Sequence, residues 1–327
     1  MNTLRLRRPH RLLAAAFAAA LVLTACGDDN GDGPVADDEG SIAADHDLSG
    51  AEFTVGSKEF TEQLVLGEIA RIALESAGAS VNDQIGLAGT AIVREALLAG
   101  EIDLYWEYTG TGWITHLGET EPIPGSDEQY QAVADRDLEE NDIRWLDPAP
   151  FDNTYAVAVH ESAAEEFDLG QLSDLQGLLD ENPDEATFCI ASEFATRDDG
   201  LPGMEEHYDV SFPEANLVML DEGAIYSEVA DRSNCNLGEV FATDGRIAAL
   251  DLVVLEDDRE FFPVYNPSVT VREDVYEEHP EIGDLFGDIA SRLDTEIMQE
   301  LNARVDEGGE FPEEVAEDWL RSEGFIG

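Results

Sequence analysis

Lysine is all but absent from this chain: Lys58 is the only one in 327 residues, and lysine and arginine together number 17 against 74 aspartates and glutamates. The formal net charge of −57 excludes nucleic acid and anionic membrane surfaces as partners, because like charges repel within a Debye length. Local signatures of common enzymes are missing too, with no Gly-x-Ser-x-Gly elbow, no His-Glu-x-x-His, no phosphate loop and no Cys-x-x-Cys. The six histidines (His10, His46, His116, His160, His207 and His279) lack metal-ligand spacing, so neither a metal nor a cofactor is expected. Acidic pairs are so frequent that none of them marks a catalytic site. Past the first 25 residues no apolar run is long enough to cross a bilayer. What the length does allow is a large core, and at this size a core usually divides in two. The excess of acid suits concentrated salt, where screening removes the self-repulsion of the surface, and points to a high-salt habitat.

The chain begins "MNTLRLRRPHRLLAAAFAAALVLTAC", a basic stretch (Arg5, Arg7, Arg8, Arg11) followed by an apolar run. This reads as an export signal over residues 1–25, and the small residues before Cys26 resemble a lipobox that would make Cys26 the lipidated first residue of the mature protein. The alternative is an ordinary signal or anchor. Residues 26–50, rich in Gly and Asp, read as a flexible acidic tether. The spacing of Asp28, Asn30, Asp32, Gly33 and Glu39 formally fits a calcium loop, but no amphipathic helices flank it, and coincidence in an Asp-rich linker is the better reading. Cys189 and Cys235 are an even pair in an exported chain, which suggests a disulfide; two buried thiols remain the alternative.

From residue 51 strands alternate with helices. "EFTVGS", "SVNDQIG" and "IDLYWEY" carry strand patterns, and the segments 60–77 and 90–99 carry apolar residues at helical spacing, each closed by a glycine. Alternation of this kind predicts an α/β fold with parallel strands, in which ligands sit beyond the strands' carboxyl ends. "FDNTYAVAVH" and "EFFPVYNPSVTVRED" read as two crossings between lobes, with hinges near Asn153 to Tyr155 and Pro263 to Val269.

At the predicted strand ends stand the residues able to do chemistry. Lys58 closes the first strand, and in a chain that otherwise uses only Arg, a compact ammonium there suits a small anionic group better than it suits bulk solvent. Arg197 lies among Glu193, Asp198 and Asp199, and either forms a structural ion pair with them or grips a ligand carboxylate with its planar fork. Tyr108, Tyr155, Phe241 and Tyr265 stand at strand ends or crossings; singly each suits a core, but together with two cations they suggest a box for a quaternary ammonium bearing a carboxylate.

The stretches "VGSKEFTEQLVLGEI", "GLAGTAIVREALLAGEIDLYWEYTGT", "FDNTYAVAV", "SEFATRDDGLPGM", "ATDGRI" and "FFPVYNPSVTVRED" resemble, in order, the extracellular substrate-binding proteins of osmoprotectant ABC transporters, the glycine betaine, carnitine and choline family. The resemblance implies a two-lobed periplasmic-binding fold of type II, each lobe a mixed sheet flanked by helices. Residues 51–152 with 266–327 would form lobe 1 and 153–265 lobe 2. It implies cage rings at Tyr108, Tyr155 and Tyr265, a ligand-facing hydroxyl at Thr111, a carboxylate contact at Lys58, a polar hinge residue at Asn153, and Arg197 reaching the carboxylate or closing the cleft with Glu193 and Asp199. Phe241 departs from the family's usual Tyr, so its ring face survives without a hydroxyl. The function implied is capture of glycine betaine for an ABC permease and its ATPase by a protein held at the membrane through a lipid anchor, with choline or carnitine as alternative ligands. Lys58 and Arg197 favour betaine over choline, which lacks a carboxylate. An exported enzyme acting on quaternary amines would need a nucleophile with a base or a metal triad, and neither is present; a sensor reusing the fold stays open.

Overall fold

The computed structural model describes residues 40–119, 123 and 125–327; the segment 1–25 expected to be an export signal, Cys26 and the Asp-rich stretch from Asp28 to Glu39 lie outside the described residues. Among the described residues two five-stranded sheets, each flanked by helices, organise the chain. The first takes β1 (Glu52–Lys58), β2 (Ser80–Leu87), β3 (Leu104–Tyr108), β4 (Ile143–Trp145) and the late strand β10 (Pro267–Arg272), in the order β2-β1-β3-β10-β4. The second takes β5 (Tyr155–His160), β6 (Phe188–Ile190), β7 (Leu217–Met219), β8 (Leu237–Phe241) and β9 (Leu252–Val254), in the order β7-β6-β8-β5-β9. In both, three parallel strands are followed by one antiparallel strand that has arrived from the other lobe. Each sheet is therefore mixed, as the resemblance implies, and the parallel pairing expected from strand–helix alternation holds for three strands of each. β4 and β9, three residues each, are too short for a period to show.

The lobes are joined where the two crossing segments hydrogen-bond to each other: Asn153 N donates to Tyr265 O, Thr154 Oγ1 to Pro263 O and Tyr265 N to Asp152 Oδ1. Burial of Asp152 pushes its carboxyl up to about 6. The first three helices belong to lobe 1. α1 (Gly40–Asp45) lies within the segment expected to be tether. It is instead docked on lobe 1: Ile42 and Leu48 are buried, and Ser41 N and Ile42 N donate to Gly324 O and Phe325 O. Two apolar side chains in a polar segment sufficed to anchor it, a signal too small for composition to register. α2 (Thr61–Ser76) buries Val65, Leu66, Ile69, Ala70 and Ala73 along one stripe, and α3 (Thr90–Ala99) ends at Gly100 as its sequence predicts.

Cys189 and Cys235 form a disulfide in lobe 2, with Cα atoms 5.6 Å apart. It ties β6 to the turn before β8 and closes a loop of 46 residues, for which loop-closure entropy gives a contribution of about 2–4 kcal/mol. Substituting both cysteines by alanine should lower the stability measured by denaturant titration in that range; an unchanged midpoint would show that the bridge constrains nothing.

Candidate functional site

A cavity of about 600 Å³ opens between the lobes, lined from lobe 1 by the end of β1, the start of α2, the turn before α3 and the end of β3, and from lobe 2 by the segments after β6, β7 and β8. Carboxyl ends of parallel strands converge on it from both sides, the position at which such sheets receive ligands. Its walls include Lys58, Tyr108, Thr111, Asn153, Tyr155, Glu193, Arg197, Phe241 and Tyr265. Asp199, also singled out by sequence, stands behind Arg197 and Tyr265 rather than on the wall.

The rings touch in a chain. Tyr155 packs against Phe241 at 5.2 Å between centroids and against Tyr265 at 5.8 Å; Phe241 stacks on Phe60 at 5.3 Å, and Phe60 on Tyr108 at 6.2 Å. Phe60 is not among the rings expected from sequence, although it follows β1 closely and satisfies the same strand-end criterion as Tyr108. Tyr265 reaches its place because Gly110 lies beneath it; a Cβ there would meet the ring at 2.7 Å.

Both cations carry buried carboxylate partners. Lys58 Nζ lies 2.7 Å from Glu107 Oε1 and 5.2 Å from the centroid of Tyr108. Glu107 Oε2 accepts from Tyr105 Oη at 2.8 Å and faces His116 Nε2 at 2.8 Å. The widened helical turn Gly112–His116, in which Leu117 N reaches back to Gly112 O, sets His116 in that position. Lys58 and His116 together hold the Glu107 carboxyl well below the usual carboxylate range against the opposing effect of burial, which also pushes the His116 imidazole down. Sequence marks Lys58 but not its counterion, although a lone Glu between aromatics in "LYWEY" is visible. Arg197 forms a bidentate pair with Asp199, Nε to Oδ1 at 2.7 Å and Nη2 to Oδ2 at 2.6 Å, and its guanidinium sits 5.5 Å from the Tyr155 centroid. Gly200 allows the tight turn after this pair, since a Cβ would meet Phe194 O at 2.2 Å. Tyr265 Oη donates to Asp199 Oδ2 at 2.6 Å.

Several bonds run from lobe to lobe. Glu193 accepts from both the backbone N–H and the hydroxyl of Thr90, each at 2.9 Å, and so caps α3 from across the cleft. Arg197 Nη2 reaches Thr111 Oγ1 at 3.4 Å. Glu62, in the first turn of α2, is 3 % exposed and gathers four partners: Tyr108 Oη at 2.7 Å and Asn153 Nδ2 at 2.8 Å on Oε1, Thr243 Oγ1 at 2.7 Å and Asn302 Nδ2 at 3.1 Å on Oε2. Burial pushes its carboxyl up, and the hydrogen bonds oppose that shift. Nothing local in the sequence distinguishes this acid among 74. Glu222, a further wall residue, is pushed up to about 7 by burial and by Glu193 and Glu59. Among the described residues no group of three or more His, Cys, Asp or Glu could hold a metal ion, and no described helix is long and apolar enough to cross a membrane.

The cleft is thus lined by rings and flanked by paired cations and buried acids, and comparison with known proteins shows the family. Residues 51–322 match the family model described as the substrate-binding domain of an ABC-type glycine betaine transport system. A glycine-betaine-binding protein of Pseudomonas aeruginosa is 38 % identical over 83 % of this chain and 88 % of its own length. The glycine betaine-binding protein YehZ of Escherichia coli K12 is 35 % identical over 83 % of this chain and 90 % of its own. The solved structure of apo YehZ superposes with a TM-score of 0.63 at 33 % identity, over 84 % of this chain and 99 % of that one. This chain therefore belongs to the family of substrate-binding domains of ABC-type glycine betaine transport systems.

Proposed function

We propose that the protein captures glycine betaine, or a closely related quaternary ammonium osmolyte, in the cleft between its lobes and delivers it to the permease of an ABC importer outside the cytoplasm. The observation that supports this most is the ring of Phe60, Tyr108, Tyr155, Phe241 and Tyr265 around a single cavity that also presents Lys58, Arg197 and Thr111. Ring faces attract a quaternary ammonium, worth about 2 kcal/mol or more once desolvated. Lys58 keeps ammonium protons beyond the one directed at Glu107, and Thr111 keeps its hydroxyl proton while its oxygen faces Arg197; both can meet a ligand carboxylate. Glu193 and the Arg197–Asp199 pair act as the closing contacts, since Glu193 bonds to Thr90 and Arg197 to Thr111 of the other lobe. Cys26 serves as the lipid anchor, and the acidic surface as the adaptation to high salt, in the same reading.

Calorimetric titration with glycine betaine and with choline in molar salt tests it. Glycine betaine is expected to bind more tightly; tighter choline binding would overturn the assignment of Lys58 and Arg197 to a carboxylate, and binding of neither would overturn the reading as a whole.

A further inference from the structure

Seven acidic residues line the cavity, and two of them are buried: Asp244 and Glu62. Asp244 is paired with Arg246, at 2.9 Å from Nε. The hydrogen-bond partners of Glu62 among the described residues are all neutral, the hydroxyls of Tyr108 and Thr243 and the amides of Asn153 and Asn302. The nearby cations are taken, Lys58 by Glu107 and Arg197 by Asp199. A buried carboxylate with hydrogen bonds but no counterion is costly. Its four partners come from β3, the first crossing, the segment after β8 and the helix Thr295–Asp306, all meeting at the cavity.

Resting on capture of a quaternary ammonium in this cleft, we propose that Glu62 is the buried counter-anion of the ligand's ammonium group, its charge delivered to the site through the hydroxyl of Tyr108. The Tyr108 Oη donates to Glu62 Oε1 at 2.7 Å, and a phenol that donates to a carboxylate presents a more electron-rich ring to a cation on its face. Asp199 stands behind Tyr265 in the same relation, but Arg197 neutralises it, and Asp244 beside Tyr226 is neutralised by Arg246; Tyr108 is the one backed by uncompensated charge. Glu62 is thus a specificity-determining residue that selects permanent positive charge, whereas ring shape alone would accept any group of the right size.

The test uses pairs of ligands that differ only in that charge: glycine betaine against 3,3-dimethylbutanoate, and choline against 3,3-dimethyl-1-butanol, in which carbon replaces nitrogen. Dissociation constants are measured for the wild-type chain and for Glu62→Gln, with folding checked by circular dichroism. The preference for the charged member of each pair should fall about tenfold or more in the variant, as expected for removing a unit charge from behind the ring in a partly buried site. Equal weakening of both members, leaving the preference intact, would overturn the proposal and make Glu62 a structural hydrogen-bond centre, while the quaternary ammonium reading would stand. Absence of any preference in the wild type would sink that reading together with this one. If Glu62→Gln does not fold, Tyr108→Phe decides: it keeps the ring and cuts the link to the carboxylate, and an unchanged preference there would equally overturn the proposal.

Discussion

Replacing Tyr108 by alanine should lower the affinity for glycine betaine on the order of a hundredfold, the scale of losing a central aromatic anchor in a desolvated site. Three effects add in one direction. The ring face is lost from the wall beside Phe60. Glu62 loses one of its four donors, so a buried acceptor is under-satisfied. The end of β3 also loses a side chain that packs with Tyr155 and Tyr265 in one apolar cluster. The backbone pairing of Tyr108 with Pro267 does not depend on the ring, so the lobes should still fold. Titration calorimetry together with a thermal melt separates the two: a hundredfold loss of affinity with a cooperative melt supports the cage, and unchanged affinity removes Tyr108 from it.

The second large effect concerns Lys58, where structure changes the expectation. From sequence, Lys58 is a ligand contact, and replacing it by Gln should weaken betaine binding more than choline binding. Its ammonium is the counterion of Glu107, a carboxylate with no solvent exposure in the middle of β3. Lys58→Met should therefore cost about 3–5 kcal/mol of stability, the penalty of leaving a buried charge behind. The pH dependence has a definite sign. In the wild type Glu107 titrates far below its unfolded value, so its contribution is complete above that value and is lost as pH falls through the depressed one. In the variant, protonating Glu107 or His116 relieves the unpaired charge, so the folded state binds more protons than the unfolded one. The deficit against wild type should then narrow as the pH is lowered toward about 5. Denaturant titrations of both proteins at about pH 8 and pH 5 check this; a deficit below about 1 kcal/mol at the higher pH would show that the pair contributes little.

These two residues show how site and scaffold share parts. β3 alternates: Tyr105 and Glu107 lie on the side of the cluster that contains Val133 and Trp145, Leu104 and Trp106 face the core built on α2, and Tyr108 emerges at the end into the cleft. A single strand thus places a charge that holds Lys58 and a ring on the cavity wall. Tyr265, Asp199, Arg197 and Thr111 form a comparable relay across the cleft. In both, a cation on the cavity wall is held in position by an acid one layer back. Rigid placement of this kind reduces the ordering cost of binding.

Much of this was written in the sequence. Strand–helix alternation from residue 51 sets the α/β class, because a period of two and a period of 3.6 follow from backbone geometry alone. The ends of strands locate Lys58, Tyr108 and Arg197 near one another in principle, because ligand clefts form where parallel strands end. Phe60 was legible by the same criterion. Tertiary structure alone decided that Glu62 and Glu107 matter. They are two among 74 acids, and their distinction is burial and partnership with residues as far away as Asn302. Local sequence does not encode that, because a carboxylate's environment depends on segments brought together only when the lobes pack. The mixed pairing of each sheet and the docking of α1 belong with them: β10 and Ile42 contact residues more than 100 positions away. Periodicity sees neighbours along the chain, while charge compensation and strand direction are settled between segments distant in it.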